Sequence, residues 1–172
     1  MVAIRSNYLS PLGNLVLIAN EEALFSLGFE ERIEEEQENS TLIKVKAWLD
    51  KYFNHERPNP YDLPLSLKGT PFQIEVWNIL LTIPYGETLT YGDIAKIIAT
   101  RRNLNRMSAQ AVGGAVGANP LPLIIPCHRV IGANNTLGGY SGGEGIKTKI
   151  SLLKHEGVDV SRFKYLKGEE RI

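Results

Sequence analysis

Only one cysteine, Cys127, occurs in 172 residues, which excludes an internal disulfide and suits a reducing compartment where a thiol survives as a thiol. Long apolar runs are missing as well: none approaches the roughly 20 residues that span a bilayer. Met1-Val2-Ala3-Ile4-Arg5 lacks the apolar core of a signal peptide, so a cytoplasmic protein without a membrane partner is expected. Neither sign of charge is in excess, with 19 Lys and Arg against 19 Asp and Glu. That balance does not announce a nucleic-acid binder, although a local basic patch is enough to neutralise phosphates. Histidine is scarce too. His55, His128 and His155 with a single cysteine show none of the close paired spacings of structural zinc sites, so no metal is expected.

The length suffices for one large domain or two small ones. Short alternating runs, Val2 to Arg5, Leu15 to Ala19 and Leu24 to Phe29, are separated by turn formers and predict a small antiparallel sheet. The acidic run 30–38 reads as a solvated loop or helix edge. From Thr41, Leu42, Val45, Leu49, Tyr52 and Phe53 recur at helical spacing, giving a helix to pack on that sheet. Arg57-Pro58-Asn59-Pro60 and Pro64 break any regular element and mark a linker near 55–68. Two domains are expected, 1–60 and 68–172, in an α+β fold: a small N-terminal antiparallel sheet with a helix, then a mainly helical C-terminal domain.

Thr70-Pro71-Phe72-Gln73 carries a helix start, with a threonine cap, proline at the first position and glutamine at the third. Phe72, Val76, Ile79 and Leu80 form its apolar stripe, and Ile83-Pro84-Tyr85-Gly86 ends it. Thr90-Tyr91-Gly92-Asp93 opens a second helix through Ile98. Arg101, Arg102, Asn103, Asn105 and Arg106 follow, then the small-residue run 108–117. Two short helices joined by a turn predict a helix-turn-helix. Gly113, Gly114 and Gly117 weaken its second helix by roughly 1 kcal/mol each relative to alanine. Close packing within its own domain and close approach to a nucleic-acid groove both compensate for such a cost.

The thiol lies in Ile125-Pro126-Cys127-His128-Arg129-Val130. Pro126 restricts Ile125 to extended backbone, so Leu123-Ile124-Ile125 reads as a buried strand delivering Cys127 at its rigid end. A lone buried cysteine is commonly just a small hydrophobe. Here His128 and Arg129 flank it, and nearby positive charge lowers a thiol pKa, which favours a reactive thiol. In an extended segment successive side chains point to opposite sides, so His128 is not expected to touch the sulfur. A bridging water that carries the proton to the imidazole, with a carboxylate behind the ring, fits such an arrangement.

The stretches "TPFQIEVWNILLTIPYGETLTYGDIAK", "AVGGAVGANPLPLIIPCHRVIG", "LGGYSGG" and "LLKHEG" resemble the O6-alkylguanine-DNA alkyltransferases, the methylated-DNA–protein-cysteine methyltransferase family. The resemblance runs from about Thr70 to Gly157 and implies irreversible transfer of an alkyl group from O6-alkylguanine in double-stranded DNA to cysteine. No cofactor is implied, and the protein acts as a monomer or cooperatively along DNA. By matching motifs it implies Cys127 as nucleophile, His128 as water-bridged base, Glu156 as its carboxylate, Asn119 as a strut beside the site, and Tyr91 as donor to the leaving guanine. Tyr140, Ser141 and Gly142 become a pocket wall, Pro122 packs on the flipped base, and the carbonyls of Cys127 and Val130 accept from its amine. Arg106, Ser108, Ala109, Gln110, Ala111, Gly113, Gly114 and Arg129 become the DNA-contacting set, with the second helix in the minor groove.

This chain departs from the pattern at Gln110, where the family has the arginine that fills the gap left by the flipped base. Arg106, one turn earlier if the helix reaches it, is the other candidate. The stretch between Gly143 and Glu156 is also slightly longer than the family's. Two further functions stay open: a lesion-recognition protein with impaired base flipping, and a cysteine hydrolase or redox thiol on an unrelated fold. The intact Pro-Cys-His-Arg element disfavours the first. The second lacks a resolving cysteine or a separately placed histidine.

Overall fold

The computed structural model describes residues 2–138, 140 and 142–165. It divides into two compact units, the first comprising Met1–Lys68 with Pro120–Ile124, and the second Gly69–Asn119 with Ile125–Ile172.

In the first unit β1 (Ile4–Ser10), β2 (Gly13–Ala19) and β3 (Leu24–Phe29) form an antiparallel meander in the order β1-β2-β3. The β1–β2 hairpin closes with Ser10 opposite Gly13, whose φ of 121° suits glycine. Leu15, Leu17 and Ala19 of the central strand are fully buried. Helix α1 (Ser40–Phe53) is capped by Asn39, which accepts from the Leu42 amide, and it buries Leu42, Val45, Trp48, Leu49 and Tyr52. The periodicity of the sequence is therefore realised, with Trp48 added to the stripe. The acidic run is a loop, yet one that docks: Glu36 accepts from the Ser6 hydroxyl and the Asn7 amide of β1.

Residues 61–68 belong to the first unit, because the Leu24 amide donates to the Pro64 carbonyl and the Ser66 amide to that of Leu24. The segment Pro120–Ile124, expected in the second domain, joins the first unit too; there the Leu27 amide donates to the Pro120 carbonyl. Nor do residues 123–125 form a strand: Leu123 has φ of 79°, which turns the chain.

The second unit begins with α2 (Pro71–Leu80), whose start is a full capping box between Thr70 and Gln73. Val76, Trp77, Ile79 and Leu80 are buried, while Phe72 is half-buried under the Arg102 guanidinium. After the two-residue strand β4 (Leu89–Thr90), α3 (Tyr91–Arg101) opens on a second capping box, Thr90 with Asp93. Helix α4 (Ala109–Gly117) is capped by Ser108 and lies against α2 and α3; the Trp77 indole donates to the Ala115 carbonyl at 2.9 Å. Strand β5 (Val130–Ile131) pairs in parallel with β4, and β6 (Thr136–Leu137) follows. Helix α5 (Ile146–His155) then packs Ile146, Ile150 and Leu153 into a core with Ile131, Leu137 and Phe163, and β7 (Lys164–Tyr165) pairs in parallel with β6. No helix among the described residues is long and apolar enough to cross a membrane.

Candidate active site

Pro126 is followed by one 3₁₀ turn, Cys127–Arg129, closed by the Arg129 amide donating to the Pro126 carbonyl and the Val130 amide to that of Cys127. At three residues per turn, successive side chains fan about 120° apart. This turn, rather than extended backbone, separates Cys127 from its neighbours. His128 and Arg129 are both directed to Glu156, the residue that ends α5.

Glu156 is the hub of a buried network. Its Oε2 accepts from His128 Nε2 at 2.7 Å and Arg129 Nη2 at 3.0 Å, and its Oε1 from Arg129 Nε at 2.7 Å and the Gly86 amide at 3.0 Å. Arg129 Nη1 donates to the Ile83 carbonyl at 2.7 Å, and Tyr85 donates to that of His155. Gly86 has φ of 81° and a side chain there would meet the Glu156 carbonyl at 3.0 Å, so the loop is shaped for glycine. Burial alone would raise the Glu156 carboxyl, but the hydrogen bonds and charges of His128 and Arg129 outweigh it and hold the group well below the usual carboxylate range.

An ionised Glu156 only accepts, so His128 Nε2 carries the proton that points at it. Burial lowers the His128 pKa, against the pull of Glu156, and the resting imidazole is neutral. Its Nδ1 is therefore a bare lone pair; it is buried and has no hydrogen-bond partner among the described residues.

Arg129 was expected on DNA. It is only 8% exposed and committed to Glu156 and Ile83, so it is a structural cation inside the fold. The expectation that His128 and Arg129 lower the Cys127 pKa is corrected with it. Burial dominates and pushes the thiol up; the influences that oppose it are, largest first, a hydrogen bond from Asn119, the charge of Lys149, the residue's own backbone and the Tyr140 hydroxyl. The free protein stores a protonated thiol.

Cys127 opens into a cavity of about 80 Å³ lined by Tyr91, Gly113, Val116, Gly117, Tyr140 and Lys149, roomy enough for several waters. Tyr91 is half-buried at the start of α3, its pKa raised by burial and by the sulfur's charge. Tyr140 is half-buried with its hydroxyl end enclosed. That hydroxyl is close enough to feel the Cys127 charge, but meets hydrogen-bond geometry with no described residue. Asn119 Nδ2 donates to the Ile125 carbonyl at 2.8 Å, tying together the two ends of the 120–124 excursion. Val130 is fully buried in β5, and Gly142 is half-buried with its carbonyl accepting from Gly145. Pro122 is buried within the first unit, and Ser141 lies outside the described residues.

On α4, Ala109, Gln110, Ala111 and Gly114 are exposed, as is the capping residue Ser108, and Gly113 is half-buried beside Tyr91. A side chain added at Gly114 or Gly117 would meet nothing within 4 Å. Internal packing therefore does not require these two glycines, and they leave an open, smooth face. Arg106 is exposed but precedes the helix, so it does not sit one helical turn before Gln110.

Residues 71–158 match the family described as 6-O-methylguanine DNA methyltransferase, DNA binding domain, and residues 4–67 match its ribonuclease-like domain. The chain belongs to the 6-O-methylguanine DNA methyltransferase family. The methylated-DNA–protein-cysteine methyltransferase of Methanosarcina acetivorans is 43% identical over 155 residues, 86% of this chain and 94% of that protein. That of Haemophilus influenzae is 37% identical over 158 residues, 88% of this chain and 84% of its own. Mycobacterium tuberculosis O6-methylguanine methyltransferase superposes with a TM-score of 0.75 at 38% identity, covering 95% of this chain and 96% of its own. The same organism's OGT in complex with DNA gives 0.72 at 39% identity, covering 92% and 94%. A methyltransferase of this family has a protein cysteine as its acceptor, and Cys127 is the chain's one cysteine.

Lys149 is a residue of the site that no motif in the sequence marks. It is 1% exposed and lines the Cys127 cavity, and burial lowers its pKa to about 8 against the opposing pull of the sulfur. The signal was present: Lys149 stands between Ile146 and Leu153 at the spacing of the buried stripe of α5.

Proposed function

We propose that this protein repairs O6-alkylguanine in double-stranded DNA by moving the alkyl group, once and irreversibly, to Cys127. The observation that carries this reading is the buried Cys127 beside a cavity, followed in the chain by a neutral His128 whose Nδ1 is bare and whose Nε2 is fixed by an ionised Glu156. The thiol proton passes through a water to His128 Nδ1. The sulfur then forms a bond to the alkyl carbon as the carbon–O6 bond breaks, and its electron pair returns to the guanine. Tyr91 donates to the ring so that it leaves as neutral guanine, and Lys149 is the cation that faces the transient thiolate. The carbonyls of Cys127 and Val130 accept from the guanine amine, while Tyr140, Ser141 and Gly142 wall the pocket. The target atom lies inside a stack, so the nucleotide is flipped out at a cost of a few kcal/mol. The open face of α4 supports docking in the minor groove, and exposed Gln110 in its first turn fills the vacated space. Counting repaired lesions tests the stoichiometry: repair of a methylated duplex in excess should stop at one lesion per protein molecule, and continued turnover would refute single use.

Lys149→Met separates function from stability. Keeping this lysine charged in the core costs roughly 3 kcal/mol at neutral pH, from a fall of its pKa from 10.5 to about 8. Between those values the unfolded chain binds more protons, so wild-type stability should rise with pH across that window. The methionine variant should be more stable at pH 7, lack that rise, and transfer alkyl groups more slowly, because the cation that faces the transient thiolate is gone. Thermal melts at pH 7 and 9.5, paired with transfer rates, check both halves. A variant as fast as wild type would remove Lys149 from the reaction.

A further inference from the structure

The connection between α3 and α4, residues 102–108, is seven residues long, against three or four in a minimal helix-turn-helix. It is ordered by its own bonds. Asn103 takes the left-handed conformation with φ of 54°, its amide donating to the Thr100 carbonyl and that of Leu104 to the Ala99 carbonyl. This is a Schellman ending, in which the residue at the Leu104 position usually packs back on its helix. Leu104 instead stands 48% exposed, one of the few large apolar side chains so placed. Arg102 is held by Glu75 and lies over the Phe72 ring, which fixes the root of the loop. Arg101 and Arg106 are exposed, and no carboxylate among the described residues pairs with either. No acidic residue occurs between Thr100 and Gly117.

An apolar side chain raised on a rigid turn between two unpaired arginines is costly in water and complementary to a polyanion with apolar sugar walls. The loop leads straight into Ser108 and the open face of α4. We infer that the end of α3 and the loop after it, residues 101–106, form a second DNA-contacting element, with Leu104 packed on the deoxyribose wall flanking the lesion and Arg101 and Arg106 paired with phosphates. The inference rests on the reading that α4 docks on duplex DNA.

Binding to a lesion-containing duplex, measured across salt concentrations, tests it beside alkyl transfer from free O6-benzylguanine. Leu104→Ala should weaken duplex binding about tenfold, the scale of one buried leucine, with an unchanged salt slope. Arg101→Gln should reduce the slope of log affinity against log salt by about 0.9, one phosphate contact. Both variants should react with the free base as wild type does. Unchanged binding and slope in both variants, or an equal loss on free base and duplex, would overturn the inference. So would a wild-type dimer that Leu104→Ala converts to a monomer without altering DNA affinity, since the patch would then serve self-association. Wild-type protein that binds duplex yet transfers nothing would instead sink the proposed function, leaving the loop to be judged by its binding arms.

Discussion

Glu156→Gln is expected to destabilise the protein by about 3–5 kcal/mol, the scale for leaving a buried ion without its partner. Arg129 is buried with two nitrogens on that carboxylate, and an amide presents one acceptor where the network needs two. For the second unit this amounts to a fall in melting temperature of roughly 10 °C or more. The sign with pH follows from the depressed carboxyl: its contribution is complete above the ordinary glutamate range and is lost as pH falls through the lower folded value. Wild type should therefore lose stability in acid more steeply than the glutamine variant. Replacing Arg129 and Glu156 together by methionine should cost much less than the sum of the single changes, because no unpaired charge remains. Denaturant melts of the two single variants and the double variant check this, and simple additivity would mean that the pair is not coupled.

His128→Phe is expected to keep duplex binding and to slow alkyl transfer by roughly 10²-fold or more, the usual scale for losing a general base. The pH profile makes the assignment sharper. Burial lowers the His128 pKa, so the active neutral ring persists below the ordinary imidazole range. Wild-type transfer should hold steady there and fall only at more acidic pH, and the phenylalanine variant should lose that acid limb. Single-turnover rates from pH 5 upward measure it. Undiminished transfer by the variant would remove His128 from the mechanism.

The parts of the fold that the sequence made legible are those fixed locally. Both capping boxes, Thr70 with Gln73 and Thr90 with Asp93, are written within four residues, and each stands where expected. The α1 stripe follows from period alone. What stayed hidden depends on partners distant in the chain. Nothing near Leu123 announces a left-handed turn at a leucine, or that the Pro120 carbonyl is claimed by the Leu27 amide. At the site, the resemblance named Cys127, His128 and Glu156, and the geometry brings the last two together. The direction of Arg129 depends on a 3₁₀ turn that the sequence does not display. The burial of Lys149 stays hidden in the sequence because a lysine in a short helix is ordinarily solvated.

The central claim is a covalent transfer to one sulfur, and the mass of the protein reads it directly. After incubation with a duplex containing O6-methylguanine, intact-mass and peptide analysis should show a stable gain of one methylene on the peptide carrying Cys127, absent in Cys127→Ala. Folded protein that repairs nothing and gains no mass, or a gain on any other residue, would contradict the account.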